Sequence, residues 1–139
     1  MVSKKLLEMM NKGIANEMQV SIQYMWQHVQ WSGVKGFAVH DEFQKIAITE
    51  MKHAEKIAER LFYLGEKPVV KPAAITVGDS LKEMIGLDIK AEAATIELYK
   101  DIIKLAEKEG DATTAHIFRG ILEQEEGHHD TFTTLMESI

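Results

Sequence analysis

Apolar residues recur at three- and four-residue steps along four stretches of the chain. The first carries Met10, Ile14, Val20 and Tyr24, with Trp31 beyond, and the second Val39, Phe43, Ile46, Ile57, Leu61 and Leu64. The third carries Leu81, Ile85, Ile89, Ile96, Tyr99 and Ile103, and the fourth Phe118, Ile121, Leu122, Phe132, Leu135 and Met136. This is helical periodicity, and no stretch sustains the alternation of a strand. Breaks fall at Ser32-Gly33-Val34-Lys35-Gly36 and Glu109-Gly110-Asp111, and both prolines, Pro68 and Pro72, lie in the stretch 65–79. Because proline is strongly disfavoured inside helices, the remaining chain is free of its commonest breaker. The pattern predicts helices over 3–31, 37–64, 80–109 and 112–137. Ser3, Asp79 or Ser80, and Asp111 serve as N-caps, with Gly65 and Gly110 as C-terminal stops. Two short links and one long one imply an all-α four-helix bundle with a long crossover between helices 2 and 3. That crossover lets helices 2 and 3 run parallel. The whole of 1–139 then reads as one domain.

An acid interrupts the apolar stripe of every helix near its middle. Glu17 stands between Ile14 and Val20, and Glu92 between Ile89 and Ile96. Glu50 and His53 stand between Ile46 and Ile57, and Glu125 and His128 between Leu122 and Phe132. A residue three or four places from apolar neighbours on both sides points the same way they do. Four glutamates and two histidines should therefore converge inside the bundle at mid-height. Four unpartnered buried carboxylates would cost many kcal/mol, and no stripe supplies a Lys or Arg to pair with them. Two metal ions offset that charge directly. One Glu from each of two helices plus Glu-x-x-His from each of the others is the di-iron carboxylate arrangement. Oxygen ligands with one imidazole per ion suit Fe or Mn, and by themselves do not exclude Zn. On the fourth helix Glu126–His129 repeats the motif, and the apolar phase decides between the two. The Glu125–His128 pair lies roughly 20–25° from the mean apolar direction, the Glu126–His129 pair roughly 75° the other way. Tyr24 follows Glu17 by seven residues and Tyr99 follows Glu92 by seven, so each shares its helix's inner face and could hydrogen-bond a ligating carboxylate. A core tyrosine bonded elsewhere is the alternative for both.

Composition narrows the chemistry further. The 139 residues contain no cysteine, which removes disulfides, iron–sulfur clusters and thiolate sites, so any metal must sit on nitrogen and oxygen. A net charge of −6 argues against nucleic acid as a partner. No apolar run approaches the roughly 20 residues that cross a bilayer. The start, Met1-Val2-Ser3-Lys4-Lys5-Leu6-Leu7-Glu8, lacks the apolar core of a secretory signal, so the expected location is cytoplasmic.

The chain resembles the bacterioferritins, most densely in Ile48-Thr49-Glu50-Met51-Lys52-His53-Ala54-Glu55-Lys56-Ile57-Ala58-Glu59-Arg60 and Ile121-Leu122-Glu123-Gln124-Glu125-Glu126-Gly127-His128. The resemblance implies that Glu17, Glu50, His53, Glu92, Glu125 and His128 are the six ligands of a ferroxidase centre. Glu50 and Glu125 would bridge two irons, and Tyr24 would fall on the neighbouring tyrosine position. It also implies oxidation of Fe(II) by O2 or H2O2 and storage of Fe(III) mineral in a homo-oligomeric cage of 24 subunits. Met51 matches the methionine that holds haem b between two subunits of a two-fold dimer. It follows Glu50 by one residue and so points about 100° from the metal face, toward the bundle's exterior. An ordinary interface methionine is the alternative. Two departures stand out. The sequence ends at Ile139 with the fourth helix, where the family adds a fifth that lines the cage's four-fold channels, so the two-fold dimer is the firmer expectation. The family's inner-surface iron site, a histidine and an aspartate, falls on Lys45 and Thr49.

The rival reading keeps the di-iron centre without storage, as a rubrerythrin-like peroxide-reducing or oxidase domain. Rubrerythrins usually add a glutamate where Thr95 stands here and carry a cysteine-ligated iron site. A DNA-protecting mini-ferritin would need no second Glu-x-x-His inside the bundle. A metal-free helical interaction module would leave these acids exposed or salt-bridged.

Overall fold

The computed structural model describes residues 2–31 and 33–139, without the side chain of Lys35; Met1, and Ser32 of the expected first break, lie outside the described residues. Four helices form: α1 Lys4–Gln30, α2 Gly33–Tyr63, α3 Leu81–Lys108 and α4 Ala112–Glu137. No strand occurs among the described residues.

The expected caps are in place. Ser3, Ser80 and Asp111 each accept a backbone N–H three residues on, from Leu6, Glu83 and Thr114. Gly65 and Gly110 close α2 and α3 at φ +93° and +79°, a conformation open to glycine at little steric cost. The first turn of α1 contains no acid of its own. Glu109 fills that role from across the bundle, accepting the Ser3 N–H at 2.6 Å and so placing negative charge at the positive end of α1.

One boundary differs from expectation. Helix α2 begins at Gly33, four residues before the predicted start at Phe37. Gly36 is helical, and a Cβ there would lie 2.9 Å from the Trp31 ring and 3.1 Å from its backbone. This glycine makes room for Trp31; it does not interrupt the helix. Only Gly33, at φ +83°, carries the turn.

Helix α1 packs against α2, and α3 against α4. Each neighbour pair is antiparallel: Gly13 approaches Ile57 while His28 lies against His40, and Tyr99 meets Phe118 while Gly86 approaches Met136. Helix α1 is also antiparallel to α3, since Ser3 meets Glu109 and Tyr24 meets Glu92. It follows that α2 and α3 run parallel, so the chain must travel the bundle's length between them. Contacts along α1 trace that route. Asn11 bonds Lys67 and Val69, the Ala15 carbonyl accepts from Ala73, and Gln27 donates to the Val77 carbonyl. The sixteen residue steps from Asn11 to Gln27 span about 24 Å of helix.

Two apolar clusters fill the interior. One gathers Leu6, Met10, Ile14, Ile57, Leu61, Tyr99, Ile102 and Phe118; the other gathers Val20, Tyr24, Phe43, Ile46, Ile85 and Phe132. On every helix the interrupting acids fall between them. The hydrocarbon is therefore split by one polar layer at mid-height.

Candidate metal centre

Every helix delivers its acid to that layer. Glu17, Glu50 and Glu125 are fully buried, Glu92 is 1% exposed and His53 4%. His128 keeps 14% of its side chain accessible. The ambiguity on α4 resolves as the apolar phase indicated, with Glu125 inside and Glu126 exposed. The in-phase spacing does this locally, because a helix that buries Ile121 and Phe132 must carry Glu125 and His128 toward the same side.

The six side chains form two overlapping groups. Glu17, Glu50, His53 and Glu125 bring ligand atoms within 4.8 Å of one another, as do Glu50, Glu92, Glu125 and His128. Glu50 and Glu125 belong to both. His53 Nδ1 lies 2.7 Å from Glu125, 3.1 Å from Glu17 and 3.3 Å from Glu50. His128 Nδ1 lies 3.0 Å from Glu50, 3.7 Å from Glu125 and 3.9 Å from Glu92. Close as they are, these approaches are not aligned as hydrogen bonds. Both Nδ1 atoms, and both carboxylate oxygens of Glu17, Glu50 and Glu125, are buried without a hydrogen-bond partner. Lone pairs directed at shared points and not at donors are what a pair of cations requires.

The electrostatics show the same unmet demand. Burial raises Glu50 and Glu125 well above the ordinary carboxylate range, and the charge of Glu17 adds to it. Burial, then Glu125, does the same to Glu92. Burial also pulls His128 down to about 4. It acts in that direction on His53 too, but three adjoining carboxylates outweigh it and raise that imidazole. The glutamate and His53 shifts reflect negative charge crowded into a site of low dielectric, whereas His128 is lowered by burial and then by the neighbouring His53.

Around the layer, Tyr24 donates to Glu92 Oε1 at 2.8 Å. Tyr99 is fully buried against the other cluster with no hydrogen-bond partner for its hydroxyl; burial and then the Glu17 charge raise it. Gly13 permits that position, since a Cβ there would come within 3.1 Å of the Tyr99 ring. Sequence reasoning missed two further groups. Gln124 bonds the Nε2 of His53. Asp88, fully buried one turn before Glu92, accepts from Gln23 at 2.9 Å. The spacing from Ile85 through Asp88 to Glu92 carried a signal for Asp88. Nothing in the pattern marked Gln124, because its partner lies on another helix.

Met51 stands apart from the six, half exposed in an apolar groove of about 710 Å³ between α1 and α2 that Met18, Ile22, Met25, Trp26 and Ile48 also line. No helix among the described residues is long and apolar enough to cross a membrane.

Comparison with known proteins gives a consistent picture. A family model described as a ferritin-like domain matches residues 7–139. A bacterioferritin of Desulfovibrio desulfuricans is 35% identical over 125 residues, covering 89% of this chain and 70% of its own. Another, from Rhodobacter capsulatus, is 28% identical over 132 residues, covering 94% and 81%. An X-ray structure of the D. desulfuricans bacterioferritin, determined with its diiron site in different catalytic states, has the same fold. It superposes with a TM-score of 0.90 at 32% identity, over 96% of this chain and 78% of that one.

Proposed function

Since the chain belongs to the bacterioferritins of the ferritin-like family, we propose that it is a ferroxidase that takes up Fe(II), oxidises it with O2 or H2O2 and passes the product to storage. The observation that carries this reading is the pair of overlapping ligand groups sharing Glu50 and Glu125. One Fe(II) would be held by Glu17, Glu50, His53 and Glu125, the other by Glu50, Glu92, Glu125 and His128. Seven buried carboxylate oxygens and two imidazole nitrogens without partners fit that demand.

When bound, the iron pair supplies two electrons together, enough to reduce H2O2 and two protons to two waters, or O2 and two protons to H2O2. The protein's own residues do the rest. Four carboxylates in a dry layer stabilise Fe(III) over Fe(II), since the higher charge gains more from the same negative field. Glu50, Glu92 and Glu125, raised by burial, must give up their protons to bind, so uptake of iron releases protons. Tyr24 holds Glu92 in place through its hydroxyl. The two apolar clusters keep bulk water from either end.

The finer features of the reading follow the same residues. A second copy would pack on the α1–α2 face, where Met51 from each subunit would ligate one haem b in the apolar groove. Homo-oligomers built on that dimer would hold the mineral, in the cytoplasm. The rubrerythrin-like alternative would place a further carboxylate where buried Thr95 stands.

The test is stopped-flow absorbance in the near ultraviolet after mixing with Fe(II) in air. Wild type should show a fast phase that Glu50→Ala and Glu125→Ala abolish, with helical circular dichroism retained. Unchanged rates in both variants would overturn the proposal.

A further inference from the structure

We propose that Gln124 is the positioning residue for His53, and that it decides which imidazole nitrogen faces the metal. Gln124 immediately precedes Glu125 on α4, so its side chain leaves the helix about 100° from the metal face. That turn carries it to the α2 side, where its Oε1 meets His53 Nε2. Gln124 is exposed while His53 is buried, so the amide stands where the imidazole ends and solvent begins.

An amide oxygen can only accept. The proton in this contact therefore belongs to His53, on Nε2. The other nitrogen, Nδ1, then keeps the lone pair, and it is the one lying 2.7–3.3 Å from Glu125, Glu17 and Glu50. A hydrogen bond on one ring nitrogen both fixes the tautomer and stops the ring from turning. A carboxylate at this position would do the same while adding a fifth negative charge to four already crowded. The amide orients without adding charge. His128 has no corresponding hydrogen bond among the described residues, so the two ion sites differ in how firmly their histidines are held. This inference rests on the reading of His53 as a ligand.

The test uses Zn(II), which binds such ligands without redox chemistry, on the full chain. Calorimetric titration of wild type should find two ions, and nitrogen-15 NMR of the loaded protein should show His53 coordinated through Nδ1 with a slowly exchanging Nε2–H. In Gln124→Leu, which removes the acceptor from an exposed helical position, one ion should bind roughly 10- to 100-fold more weakly. The other should be unaffected, and the Nε2–H should exchange fast. Gln124→Glu, which restores an acceptor, should recover the affinity and the protected proton. Two ions bound by Gln124→Leu as by wild type, or His53 found protonated on Nδ1 in the loaded wild type, would overturn the Gln124 assignment alone. Wild type that binds no Zn(II) would overturn the metal-centre reading and this inference with it.

Discussion

Asp88→Asn should stabilise the metal-free protein, and increasingly so as pH rises. Burial holds the Asp88 carboxyl at about 7 instead of 3.8, against the opposing hydrogen bond from Gln23. Its Oδ2 has no partner, and neither does Oε1 of Gln27, one turn along α1 and beside the same carboxyl. Between pH 4 and 7 the folded state keeps the proton that the unfolded state gives up, so wild type loses stability throughout that interval and carries the full cost above it. About three pH units, at about 1.4 kcal/mol each, put that cost at roughly 4 kcal/mol. Asparagine keeps the acceptor for Gln23 and adds a donor for the unpaired oxygen of Gln27, with no charge to desolvate. Urea unfolding of both chains, freed of metal, should show the variant's advantage growing by roughly 2 kcal/mol between pH 5.5 and 8.5. The other carboxylates are common to both chains and cancel in the difference. An advantage that stays flat over this range, or a wild type that is the more stable above pH 7, would refute the assignment of a neutral buried acid.

Two further outcomes follow from the same charge distribution. Glu50, Glu92 and Glu125 are all raised above their unfolded values, so the metal-free protein should lose stability as pH rises from about 5 toward 8, by the same linkage. Saturating Zn(II) should flatten that slope and, at 100 times the dissociation constant, add about 2.7 kcal/mol of stability, measured by thermal melts with and without metal; identical pH profiles would count against a metal centre. If Met51 holds haem as proposed, wild type reconstituted with haem should gain an absorption that Met51→Leu loses, while Fe(II) oxidation is unchanged, because Met51 is half exposed and stands apart from the six inner residues.

The local rules of helix formation account for most of what was readable in the chain. Stripe phase alone put Glu17, Glu50, His53, Glu92, Glu125 and His128 on inner faces, and it separated Glu125 from Glu126, because a helix's 3.6-residue period ties each residue's direction to that of its neighbours. The caps at Ser3, Ser80 and Asp111 and the stops at Gly65 and Gly110 were legible for the same reason: each acts on groups within one turn. Gly36 misled because glycine looks the same in sequence whether it breaks a helix or admits a neighbouring ring, and only the position of Trp31 tells the two apart. Tertiary structure alone decided that Glu50 and Glu125 stand in both groups, that Tyr24 reaches Glu92, that Gln124 meets His53 and that Glu109 closes the far end of α1. Period and phase tell which way a side chain points from its own axis. Distances between axes depend on how the helices pack, and no residue spacing along one helix contains them.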